Sequence, residues 1–216
     1  MAELEQYKSR TDQGCSRYEK DKQTMQELQS RYNEVSQKVY EAEREYDVAR
    51  REFEQVQREI ASAQNMVNSA PEGADTSAAV RRLQMLYQRA NQLKSDAEQA
   101  RQKYQQYNSV LQQIESSMNQ VQADMDAVRN ELNQLKSEMI AEANDLQKKV
   151  NDRNSVSATF SQASGNMFGR TAMQQASVLQ SQANVYNSKL TIIQGLISKI
   201  ESTLSDGSSY QKVLRR

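Results

Sequence analysis

The stretch YNEVSQKVYEAEREYDVARREFEQVQREI, residues 32–60, decides how this chain folds. Tyr32, Val35, Val39, Ala42, Tyr46, Ala49, Phe53, Val56 and Ile60 follow one another in steps of three and four. Apart from Tyr40 and Val48, everything between them is polar or charged. A helix turns once in 3.6 residues, so these steps gather the apolar groups into one narrow stripe. A strand would alternate in twos. A stripe that repeats every seven residues is the signature of a helix in a coiled coil.

The same steps extend in both directions. Upstream they pass through Leu4, Tyr7, Thr11, Gly14, Tyr18, Asp21, Met25 and Leu28, and downstream through Ala63 to Val67, a run of roughly nine heptads. Pro71 and Gly73 then stop the helix, because proline lacks an amide hydrogen and disfavours a helical residue before it. Asp75 or Thr76 is placed to cap the next helix. In that helix the stripe restarts at Leu83 and Leu86 and passes through Leu93, Ala100, Tyr104, Leu111 and Ile114 to Met139. Beyond Met139 it weakens at Glu142, Lys149 and Arg153, and it returns at Val156 and Phe160. A third tract runs from Ala176 through Leu190, Ile193, Ile197 and Ile200 to Leu204. It carries further apolar residues off the stripe, at Val178, Val185, Ile192 and Leu196, and so wide a face predicts more than one partner helix.

The expected organisation is a first helix over 1–68, a tip loop over 69–75, a second helix over 76–164, a turn over 165–170, a third helix over 171–205 and a tail over 206–216. Flanking charges decide how the first two helices pair. Folding the chain back about residues 73–74 sets Glu59 by Arg89, Glu45 by Lys103, Arg17 by Glu131 and Arg10 by Glu138, with Glu52 alone meeting a like charge, Asp96. A parallel dimer sets Arg17 by Lys22. Each exposed pair is worth only about 0–1 kcal/mol, so these charges select orientation more than they supply stability. The antiparallel register also sets large against small, with Ala42 facing Tyr104, Tyr46 facing Ala100 and Val56 facing Ala90, as close packing requires. The candidate coiled-coil core is Tyr32, Val39, Ala42, Tyr46, Phe53, Ile60, Leu86, Leu93, Ala100, Tyr104, Leu111 and Ile114.

The same register sets Thr11, Gly14 and Asp21 against Leu135, Leu132 and Met125. Apolar surface on the second helix is left uncovered there, and the Ile- and Leu-rich end of the third helix is available to cover it. The fold class predicted is all-α: a long antiparallel coiled-coil helical hairpin, about 90–100 Å at 1.5 Å per residue, with a third helix folded back to make a local three-helix bundle.

Chemistry is harder to find. The stretch SGNMFGRT, residues 164–171, approaches the phosphate-binding pattern GxxxxGK[ST], but Ser164 replaces the first glycine and Arg170 the lysine. No strand pattern precedes it, and the helical tracts on either side make it a corner, with Gly165 closing one helix and Thr171 capping the next. The chain has no His and one Cys, Cys15, which leaves neither a metal-ligand set nor a base to activate a thiol. Cys15 falls beside the stripe, where partial burial is expected. Most of the ten tyrosines fall on the stripe, which makes them core rather than stacking platforms.

Lys and Arg number 28 against 28 Asp and Glu, so no net charge draws the chain to nucleic acid or an anionic membrane. No apolar run is long enough for a membrane span, and MAELEQYKSR at the start has no apolar centre of a signal peptide. The sequence therefore points to no enzyme, cofactor, metal or small-molecule substrate. It suits a cytoplasmic structural or adaptor protein, a rigid spacer and assembly module whose partner is another protein or a second copy, engaged through helical surfaces. The alternative is a secretion-associated helical effector or chaperone exported without a cleaved signal. The candidate interaction residues are Met167, Phe168, Ile192, Leu196, Ile197 and Ile200.

Overall fold

The computed structural model describes residues 2–72, 74–163 and 169–205. The fold is all-α, built from α1 (Ala2–Asn68), α2 (Ser77–Ala163) and α3 (Gly169–Ser205), with α1 and α2 antiparallel and α3 packed on both. Because α3 begins at Gly169, Thr171 lies inside its first turn instead of capping it. Gly165, Met167, Phe168 and the segment from Asp206 onward lie outside the described residues. The chain divides into two compact units, one of Met1–Met25 with Gln120–Arg216, the other of Gln26–Asn119.

The Gln26–Asn119 unit is a pair of antiparallel helices. Along α1, Val35, Ala42, Ala49, Val56 and Ala63 are buried at intervals of seven, with Ile60 beside them; α2 contributes Leu86, Ala90, Leu93, Ala100, Ile114 and Met118. Tyr32, Val39, Tyr46, Phe53, Tyr104 and Leu111 are partly buried, since two helices cover only one line of side chains and longer ones reach the edge. Val56, Ile60 and Ala63 interlock with Leu86, Ala90 and Leu93, and Phe53 and Leu83 pack against them. Within this cluster each helix contributes one alanine, Ala63 and Ala90, among the larger side chains of the other.

On the rim, Lys103 Nζ donates to Glu45 at 3.0 Å. Arg89 pairs with Glu52 at 3.5 Å instead of the expected Glu59. Two local contacts account for the change: Glu59 accepts from Gln55, and Asp96 accepts from Gln92 at 2.9 Å. Arg89 is thereby left to reach the carboxylate that the register had set against a like charge. At the turn, Ser69 N–H donates to Asn65 C=O and Ala74 N–H to Pro71 C=O. Asp75 accepts from the Ser77 amide at 2.9 Å, which satisfies one of the free donors of α2 and holds the carboxyl below its usual range.

The other unit has three helices. Arg10 meets Glu138 at 2.9 Å and Arg17 meets Glu131 at 3.5 Å, which keeps α1 antiparallel to α2. Lys199 of α3 reaches Asp12 of α1 at 2.7 Å, and Lys136 of α2 reaches Glu201 of α3 at 3.2 Å. Both helices therefore lie beside the last turns of α3. The most deeply buried side chains here come from all three: Thr11 and Tyr18, then Val128, Leu132 and Met139, then Ile193 and Ile200. Cys15 is also buried, close to Lys199, because α3 covers the side of α1 that a two-helix pair would leave open.

Gly14 shows why a third helix is accommodated. A Cβ at this position would stand 2.7 Å from Leu132 Cδ2 and 3.2 Å from its Cγ, so Leu132 occupies the space of the missing side chain. Leu132 itself is 1% exposed. Thr11 sits one turn before Gly14, fully buried, with its hydroxyl unpartnered, a burden of about 1–3 kcal/mol that the surrounding apolar packing offsets. Asp21 stays partly exposed, so the core carries no bare carboxylate at that level.

Beyond Leu146 the buried line of α2 passes to Val150 and Ser157, while Lys149 and Arg153 point outward and Val156 is 43% exposed. The expected return at Val156 is thus displaced by one residue. The step of four from Leu146 to Val150 follows a full seven and acts as a four-residue insertion in the repeat, turning the packed face toward α3. Ser157 is tolerated inside because its hydroxyl donates to Ala176 C=O of α3 at 3.1 Å.

Gly14→Ala should therefore destabilise the chain by about 1 kcal/mol, as the overpacking cost of about 1–3 kcal/mol exceeds the helix-propensity gain of about 1 kcal/mol. In a Leu132→Ala background the same substitution should become stabilising. Urea unfolding of the four members of this cycle measures the reversal.

Candidate interaction surface

Cys15 is buried and unpaired. Among the described residues, no three Cys, Asp or Glu side chains converge with the geometry of a metal site. A groove of about 650 Å³ lies over Ala49 and Ala100, where two small residues leave a depression between the helices. Its walls mix Glu41, Glu45 and Glu52 with Arg44 and Lys103, and Lys103 is already engaged by Glu45. The groove is open, and charges of both signs line it. Among the described residues, no helix is long and apolar enough to cross a membrane.

What stands out is apolar and lies on α3. Of the residues assigned to interaction, Ile192 is 48% exposed, Ile197 is partly buried, and Leu196 and Ile200 are buried at 9% and 0%. The last two are taken up by the chain's own three-helix core, as the contacts of Lys199 and Glu201 beside them require. Met167 and Phe168 lie outside the described residues. Val178 and Val185 are 57% and 54% exposed, and with Ile192 they form a line at seven-residue spacing.

The two halves of α3 bury different faces. In the first half the buried residues are Ala172, Ala176 and Ala183, small side chains that bring α3 close to α2, as the Ser157–Ala176 bond shows. In the second half they are Leu190, Ile193, Leu196, Ile200 and Thr203, mostly large and on a broader face that meets two helices. By helical geometry, stepping back in sevens from Lys199, which touches α1, gives Ile192, Val185 and Val178. Each step of seven falls about 20° short of two turns, so this line starts beside the α1-facing flank at Ile192 and lies about 60° off it at Val178, and it stands exposed. The repeat that placed the core in the sequence also marks it, since Val178, Val185 and Ile192 are apolar just off the main stripe. Sequence alone did not show which of the two lines the chain would use itself.

A second exposed group sits near the turn between α1 and α2, with Met66, Val80 and Met85 at 63%, 41% and 64% exposure. Nearby, Tyr87 accepts from Gln64 Nε2 at 2.6 Å.

Neighbouring isoleucines separate the two lines of α3 by experiment. Ile193→Ala should cost about 2–5 kcal/mol through loss of buried volume, whereas Ile192→Ala should change stability by less than about 0.5 kcal/mol. Denaturant unfolding at low protein concentration measures both. No protein-family model, curated protein or solved structure matches this chain.

Proposed function

We propose that this chain is a non-catalytic structural or adaptor protein, a coiled-coil spacer and assembly module that works through helix–helix contact. The observation that carries this reading is the line Val178, Val185 and Ile192, apolar, exposed and spaced by sevens beside a line, Ala176, Ala183, Leu190 and Ile193, that the chain already buries. Such a line is what one helix offers another. The Gln26–Asn119 unit supplies the spacer, its paired helices knit by a continuous buried line and by pairs such as Lys103–Glu45. The lone, buried and unpaired Cys15 suits a reducing compartment such as the cytoplasm.

Photo-crosslinking amino acids at Val178, Val185, Tyr40 and Val48 test the reading in the native cell, since all four positions are exposed. Adducts of defined mass should form from Val178 and Val185 and be absent from Tyr40 and Val48. Equal labelling at all four positions, or none at any, would contradict an assembly role for α3.

A further inference from the structure

We infer that the paired helices of the Gln26–Asn119 unit bend at the level where Ala49 faces Ala97. They close toward the rim tied by Lys103–Glu45 and Arg89–Glu52 and open on the rim where Arg50 faces Arg101. The bend belongs to this unit alone and does not depend on what α3 engages.

Three observations favour a bend there. The first is the layer itself. Lys103–Glu45 and the interlocked Val56, Ile60, Leu86 and Ala90 fix the register, in which Tyr46 faces Ala100, Ala49 faces Ala97 and Phe53 faces Leu93. From Val35 to Ala63 every other layer sets at least one larger side chain between the helices, whereas this one has alanine on both. The separation of packed helices follows the side chains between them. Tyr46 and Phe53 stand in the layers before and after, and two methyl groups between them leave space.

The second is that this space opens on both faces. The groove of about 650 Å³ lies over Ala49 and Ala100 on one rim. On the other a smaller groove, of about 200 Å³, lies over Ala97, with Tyr46, Phe53 and Arg101 among its walls. At a filled layer, bending drives side chains into one another on the inner side, and close-packed interiors resist that. Here the inner side is a groove, so the helices curve without displacing a side chain. Below about 20° such a curve needs no break in either helix.

The third is charge, which sets the direction. On the rim of the larger groove, ion pairs at 3.0 Å and 3.5 Å stand on either side of Ala49 and draw the helices together. On the other rim Gln64 donates to Tyr87, and two heptads along each helix from that pair stand Arg50 and Arg101. Arg50 is held by Glu54 of its own helix at 3.1 Å, and among the described residues no hydrogen bond or ion pair joins the helices at this level of the rim. Like charges push apart one rim while opposite charges pull the other closed. Exposed charges are screened by salt, so both effects fade together as ionic strength rises.

Spin labels on the full chain in a Cys15→Ala background test this by pulsed dipolar spectroscopy. One pair, Glu41→Cys with Ser62→Cys, lies on the tied side of α1, and the other, Tyr40→Cys with Ala61→Cys, on the arginine side; all four positions are exposed. Both pairs span the layer by three heptads, about 32 Å. A bend of about 20° between faces about 10 Å apart shortens the first separation by about 3 Å relative to the second. Raising salt from about 0.01 M to about 1 M, which cuts the screening length from about 30 Å to about 3 Å, should remove that shortening. Arg101→Glu, which ties the open rim to Arg50, and Ala97→Leu, which fills the layer, should each remove it at low salt. Separations that stay the same under salt, Arg101→Glu and Ala97→Leu alike overturn the inference.

Discussion

Leu132 resting in the space above Gly14 is the contact on which the three-helix unit depends. A glycine within a helix costs about 1 kcal/mol relative to alanine, and the helix tolerates it here because a leucine fills the gap. With Thr11 a turn earlier, α1 presents a flat and poorly apolar surface at this level. Apolar side chains of α2 such as Val128, Leu135 and Met139 then extend beyond what α1 covers, and α3 supplies Ile193 and Ile200 to close them. A deficit in the first helix thus becomes the seat of the third.

Much of this was legible in the sequence because periodicity encodes it directly. A stripe in steps of three and four can belong only to a packed helix, and proline and glycine between two stripes can only break them. The charges flanking the stripe select antiparallel pairing, and Arg10–Glu138, Arg17–Glu131 and Lys103–Glu45 lie where that pairing puts them. What escaped the reading depends on side-chain reach and competition. Glu59 has a partner on its own helix, Gln55, and so Arg89 turns to Glu52. Long side chains have several partners within range, and a register names only the nearest in sequence.

The surface was harder to read for a related reason. On α3 two apolar lines run side by side, and hydrophobicity does not separate them. Ile193 is fully buried and Ile192 half exposed, yet the two are neighbours of identical chemistry. Only the positions of the surrounding helices decide which line the chain keeps. Likewise Val156 loses its place in the core to Ser157, a polar residue that succeeds there because Ala176 C=O accepts its hydroxyl. Hydrogen bonding across helices is invisible to a pattern of hydrophobic steps.

The packing also divides responsibilities within the chain. Rim pairs such as Lys199–Asp12 set direction; the Lys199 amine hydrogen-bonds the Asp12 carboxyl and holds it below its usual range. Stability in this unit comes instead from the interior that α3 completes. Native-state hydrogen exchange on the chain with and without residues 169–216 tests that claim most directly. Without α3, amides over 7–25 and 125–150 should lose most of their protection, while those over 35–63 and 86–114 keep theirs. Unchanged protection over 7–25 and 125–150 would contradict it, because α1 and α2 would then form that core without help.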